Sequence, residues 1–259
     1  MARGEAARSG PVEIWHEAVR EPMEFELDPD LIDSIVADET THAKQEIAEL
    51  GPLGALERSQ QRHDARLAAA PDAHTLACKN GCFWCCYFTV EVRPVEIVRI
   101  MQFMDHEMSN EDRERIAAEI HTNAAALASL DDDARLRHNL KCPFLHFGRC
   151  SIYAVRPQTC RNYHATDSRG CEKAYREPEN DDIDPEFAPL VYQSGGAHVD
   201  AFSTAMEEAG YDVGAYELNA ALSTALHDAA GLTARFDAKQ IALPTIDRTE
   251  VAPEFLDSE

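Results

Sequence analysis

Four of the eight cysteines in this 259-residue chain fall within nine residues, in the string Cys78-Lys79-Asn80-Gly81-Cys82-Phe83-Trp84-Cys85-Cys86. The other four, Cys142, Cys150, Cys160 and Cys171, all follow within the next hundred residues. None occurs before position 78 or after 171. Thiolates are soft ligands. Four of them close a tetrahedral zinc site at about 2.3 Å, and iron–sulfur clusters are held by the same side chain. The two-residue gap between Cys82 and Cys85 lets two sulfurs turn toward one ion. Adjacent Cys85 and Cys86 behave differently, because neighbouring side chains diverge in extended backbone. Such a pair more naturally serves two sites or a polynuclear cluster. Eight thiols permit two four-cysteine sites, or one [4Fe–4S]-type cluster plus one structural zinc. All eight cysteines are therefore expected metal ligands, and spacing alone does not divide them.

His146 and His164 each stand four residues after a cysteine. Either can replace a thiolate. With eight thiols present, the simpler expectation is that they hydrogen-bond to ligands. Phe83 and Trp84 are expected to shield the metal from water. Arg156 and Arg161 flank Cys160, and Arg156 is expected to pair with a carboxylate or a helix end. No Ser-His-Asp set, P-loop or dinucleotide fingerprint is present.

The string Cys78-x₃-Cys82-Phe83-x-Cys85 has the three-cysteine spacing of radical S-adenosylmethionine enzymes, in which three thiolates hold a four-iron cluster. Elsewhere the chain lacks the alternating strands and helices of a partial barrel. That reading would also leave Cys86 and four later cysteines unused. An iron–sulfur site that shares the spacing is favoured over membership of that superfamily.

A longer pattern covers both cysteine segments. Cys78-x₃-Cys82-x₂-Cys85-Cys86 is followed by Cys142-Pro-Phe-Leu, Gly148-Arg149-Cys150-Ser-Ile-Tyr153 and Arg156-Pro157-x₂-Cys160-Arg161-x-Tyr163. This order resembles the YkgJ-type CxxCxxCC family of zinc- or iron-chelating domains over about residues 76–176. The sequence departs from the pattern by one extra residue between Cys78 and Cys82. The resemblance implies metal chelation by the clustered cysteines. A related group of flagellin lysine methylases carries a similar cluster, so the resemblance also implies an alternative: an iron–sulfur, S-adenosylmethionine-dependent modification enzyme. A thiol redox or metal-transfer module is a third reading, and it requires exposed cysteines of low pKa.

The formal charge is −23, and five lysines stand against nineteen arginines. Such an acidic surface disfavours nucleic acid as a partner. It also suits a salt-rich cytoplasm, where salt screens self-repulsion. Residues 135–176 break the pattern. Nine cations, from Arg135 to Arg176, face only Asp167 and Glu172. These charges are expected mainly to balance thiolates. They also leave room for an anionic small molecule or a protein substrate beside the metal. No apolar run is long enough for a membrane span, and no secretory signal is evident. A reducing cytoplasm is the expected compartment, which favours metal thiolates over disulfides.

The elements that must position these residues read as helices. Asp28-Pro29 starts one, with apolar residues from Ile32 to Leu50, and Gly51-Pro52 stops it. A second runs to about Ala70. Phe88, Val90 and Val92 alternate as a short strand. Pro94 opens a helix with an apolar face of Ile97, Ile100, Met101, Met104 and Met108, and Ser109 or Asn110 caps the next. Gly148-Arg149 reads as a hairpin turn, Pro157 starts a short helix carrying Cys160, and Cys171 follows in a loop or turn. Two further helices are closed by Gly210 and Gly231. From Ala242 onward the tail reads as an extended docking segment or disorder. The expected fold is mainly α, with helices around a cysteine-rich metal-binding core and a small β-hairpin. The expected division is a flexible arm at 1–27, an N-terminal helical region at 28–75, a cysteine-cluster domain at 76–176 and a C-terminal helical extension and tail at 177–259.

Overall fold

A computed structural model of the protein describes residues 29–249 apart from Asn80, Asp181 and Asp184. The expected N-terminal arm and the end of the tail lie outside the described residues. The fold is mainly α, with two small antiparallel strand pairs.

Helix α1 spans Pro29–Ala69 and bends at Gly51, whose φ of 75° is outside the helical range. The expected break at Gly51-Pro52 is there: two helical segments meet at this residue pair within one continuous span. Pro52 brings no N–H, so it can only begin a helical segment, and Gly51 supplies the backbone angle that restarts the turn. Helix α2 (Pro94–Glu107) follows strand β1 (Glu91–Val92). Pro94 takes the first helical position, and Glu96 Oε2 accepts the Arg93 N–H at 2.8 Å. Helix α3 (Asn110–Leu127) is capped by Ser109, whose Oγ accepts from Asp112 N–H at 3.1 Å. Asp131 likewise caps α4 (Asp132–Arg137).

Strands β2 (Leu145–His146) and β3 (Arg149–Cys150) form the hairpin, with His146 opposite Arg149. The two-residue turn is therefore Phe147-Gly148, one residue earlier than expected. Both turn residues have positive φ, 48° and 72°, as tight hairpins of this kind require. Helix α5 (Gln158–Asn162) starts after Pro157, and α6 (Ser168–Arg176) is capped by Asp167. Cys171 sits inside α6 and not in a loop, because the Asp167 cap starts the helix before it.

Helix α7 (Pro189–Glu208) lies along α1. Its first amides are satisfied from a distance: buried Asp72 accepts from Leu190 N–H at 2.8 Å and Val191 N–H at 3.1 Å. Strand β4 (Tyr216–Glu217) pairs antiparallel with β1, Val92 opposite Tyr216. Helix α8 (Leu218–His227) packs on α3, and α9 (Ala229–Asp237) packs on α2. Gly231 lies within α9 and does not end a helix. The break falls at Asp228, whose carboxylate accepts the Gly231 N–H at 3.0 Å and starts α9.

The main core runs from Ala43 to Leu243 and is built on Ile97, Ile100, Met104, Ile116, Ile120, Phe144, Tyr216 and Leu222. The beginning of the tail is part of it. Ala242 and Leu243 are fully buried, and Arg248 reaches Asp212 at 2.8 Å. Among the described residues no helix is long and apolar enough to cross a membrane.

Candidate metal centre

The first cysteine segment is a series of tight turns. Cys82 N–H donates to the Lys79 carbonyl at 2.9 Å, with Gly81 at φ 94° in the third turn position, where glycine is favoured. The extra residue between Cys78 and Cys82 is taken up in this turn. Residues Trp84–Tyr87 then make one turn of 3-10 helix, which carries the adjacent Cys85 and Cys86.

The second segment is bonded to the first through the backbone. Cys142 N–H donates to the Cys86 carbonyl at 2.7 Å, and Leu140 N–H to the Tyr87 carbonyl at 3.0 Å. The hairpin brings in Cys150 opposite Leu145. Helix α5 is held by buried Glu96, whose Oε1 accepts the Gln158 N–H at 2.6 Å, and this places Cys160. The loop after α5 returns to the first segment: Ala77 N–H donates to the Ala165 carbonyl at 3.0 Å, and Ala165 N–H to Cys78 Sγ at 3.3 Å. Helix α6 packs on the 84–87 turn, with the Tyr175 ring 5.4 Å from Trp84 and 4.7 Å from Tyr87.

Every cysteine except Cys171 lines one cavity of about 230 Å³. Lys79, Arg149, Arg156, Tyr153 and His164 share its wall. All eight cysteines are free thiols; Cys171 is buried and the others are partly so. His146 is not among the lining residues. The Phe83 and Trp84 rings pack tilted at 5.2 Å, and Phe83 lies against Gly148 at the hairpin tip.

Two sets of thiols are electrostatically distinct. Burial pushes Cys160 well above the ordinary thiol range, and the thiolate charges that add to this are those of Cys142, Cys85 and Cys150. Burial likewise pushes Cys171 up to about 12, and there the added charges are those of Cys78, Cys85 and Cys82. Cys85 bears on both sets. Its own thiol is raised first by the Cys86 thiol bonded to it and then by burial. Cys142 is pushed up to about 12 by burial, with Cys150 and Cys85 adding. Arg156 opposes the rise at Cys85 and Cys150.

The arginines around Cys160 depend on a residue that sequence reasoning did not single out. Asp64, on α1, bonds Arg161 Nη1 at 2.5 Å, and Arg156 Nη2 stands 3.9 Å from the same carboxylate. Burial acts to raise Asp64, but neighbouring His63, then Arg161 and Arg156, hold it below the usual carboxylate range. The expected carboxylate partner of Arg156 is thus Asp64, and the stronger pairing belongs to Arg161. Arg156 also stacks over the Tyr153 ring at 3.9 Å. Most of the basic segment is paired in the same way: Lys141 with Glu119, Arg169 with Asp167, Arg176 with Glu172.

In this geometry, among the described residues, no group of three or more His, Cys, Asp or Glu side chains is arranged to hold a metal ion. The chemistry of the donor set nevertheless fits one. Thiols that burial and mutual repulsion keep protonated lack a positive charge at their centre, and a soft cation supplies it.

Comparison with known proteins agrees with the cysteine pattern. Residues 77–183 match the family model CxxCxxCC, described as "Putative zinc- or iron-chelating domain". No curated protein and no solved structure matches the chain. The family suggested by the two cysteine strings is therefore the one whose model residues 77–183 of this chain match.

Proposed function

We propose that this protein binds metal through its eight cysteines, as an iron–sulfur cluster, zinc or both, in a reducing cytoplasm. The observation that carries the reading is that every cysteine except Cys171 lines one cavity. We assign Cys142, Cys150 and Cys160 to one set and Cys78, Cys82 and Cys171 to the other, with the Cys85-Cys86 pair shared between them. One cysteine of the pair would complete each set as a four-thiolate site. Loading would draw the thiols inward by side-chain rotation. Zinc would act as a fastener between two distant segments; a cluster would add redox or Lewis-acid chemistry. Under this reading residues 76–176 are the functional unit, and the helices on either side support it.

A second reading, an enzyme with an anionic or protein substrate beside the metal, is favoured by Arg149 and Lys79. Both are exposed at the cavity and have no ion-pair partner among the described residues. An S-adenosylmethionine-dependent modification would belong to this reading.

The test is metal analysis of single serine variants purified without oxygen. Cys160→Ser and Cys171→Ser should each lose part of the bound metal, and Cys85→Ser most of it. Full metal content in both Cys160→Ser and Cys171→Ser would overturn the division into two sets.

A further inference from the structure

Helix α5 has a second face. Cys160 turns toward the thiols, while Gln158 and Asn162 line a separate cavity of about 220 Å³, bounded by β1, the start of α2 and α7. Gln158 is only 4 % exposed, yet neither its amide oxygen nor its amide nitrogen has a partner. Asn162 Oδ1 is buried and unpartnered as well. A buried amide oxygen without a partner costs about 1–3 kcal/mol, so the oxygen of Gln158 calls for a ligand that can donate hydrogen bonds.

The charge in the cavity is unbalanced. Glu91, Glu96 and Asp200 line it, with Arg93 as the one cation among the lining residues. Arg93 Nη1 donates to the Val213 carbonyl at 2.7 Å. Both oxygens of Glu96 already accept backbone N–H groups. Glu91 and Asp200 have no side-chain partner among the described residues. Tyr163 and Tyr192 place rings at the same cavity, and aromatic faces attract cations.

We propose that this cavity binds the ammonium group of a small molecule or side chain, with Asp200 and Gln158 Oε1 as its acceptors. An ammonium brings three donors and no acceptor, and one positive charge that offsets an unpaired carboxylate. Asp200 is exposed at the cavity, and partial burial of its carboxylate raises its pKa, with Arg93 opposing. The site stands on α5, α7 and β1, and it does not depend on the metal reading.

The test is titration of the full-length protein, as purified, with n-propylammonium chloride at constant ionic strength, followed by NMR or calorimetry. Sodium propanoate serves as the control. Saturable binding of the ammonium is expected, with none of propanoate. Asp200→Asn and Gln158→Met should each weaken it at least tenfold while melting temperature and metal content stay near wild type. If Gln158→Met fails to fold, the Asp200→Asn variant decides alone. Absence of saturable ammonium binding, equal binding of propanoate, or unchanged affinity in Asp200→Asn would each overturn the proposal.

Discussion

The amide of Cys142 donates to the carbonyl of Cys86 at 2.7 Å. This bond joins the two cysteine segments by backbone, next to the adjacent pair Cys85-Cys86 that lies between the two thiol sets. A metal held by thiols of both segments would tighten this junction. Metal binding to a folded state adds stability by mass action. Chelation of the loaded protein, or Cys82→Ser or Cys85→Ser, should lower the melting temperature by several degrees and keep the helical circular-dichroism signal at 25 °C. Wild-type melting in the stripped protein would break the link between metal and stability.

Asp64 holds Arg161, whose side chain is only 4 % exposed. Asp64→Asn keeps the shape and removes the charge, which leaves a buried guanidinium without its counter-ion. Because Asp64 itself is half exposed, solvent screens part of the effect. The expected loss is about 1.5–3 kcal/mol, the range for hydrogen bonds to charged groups. Urea denaturation measures it, and a loss below about 0.5 kcal/mol would show that Arg161 is held by its bond to the Ala154 carbonyl alone.

His198 lies fully buried between α1 and α7. It bonds to Ser59, and its ring is 5.2 Å from that of His63. Burial first, then the nearby His63, Arg66 and Arg62, lower its pKa from 6.5 to about 3. His63 is lowered by burial too. Below pH 6.5 the unfolded chain takes up a proton that the folded chain refuses, so stability must fall as pH falls through that window. The slope is about 1.4 kcal/mol per pH unit for each such histidine. His198→Gln should flatten the fall between pH 6 and pH 4.5 relative to wild type. Identical pH profiles would contradict the burial of a neutral imidazole.

Gly195 on α7 has no room for a side chain. A Cβ there would meet Asn162 Oδ1 at 1.7 Å and His63 Nε2 at 3.1 Å. Gly195→Ala should therefore destabilise by about 1–3 kcal/mol through overpacking, despite the usual gain of alanine over glycine in a helix. A stabilised Gly195→Ala protein would mean that Asn162 swings away freely.

What was legible in the sequence is what depends on near neighbours. The Cys78–Cys86 string, the proline-led starts of α2 and α5, and the period of Ile97, Ile100 and Met104 each carry their structure in a few residues. Errors arose where a single backbone angle or a distant partner decides. Cys171 joins a helix because Asp167 caps it. The turn falls at Phe147-Gly148 because a two-residue loop needs positive φ at both positions. Asp64, Asp72 and Gln158 carry no sequence signal at all. Asp64 meets Arg161, and Asp72 the start of α7, only once the chain has folded back on α1. The empty-handed amide of Gln158 shows only when its surroundings are known.

The central claim is that the eight thiols hold metal together. Its most direct test is oxygen-free purification of the whole chain, with zinc and iron quantified and thiol reactivity counted before and after chelation. The account predicts bound iron or zinc, thiols that react slowly until the metal is removed, and broad visible absorption when iron is present with sulfide. A folded protein that carries neither metal and exposes eight readily reacting thiols would contradict it.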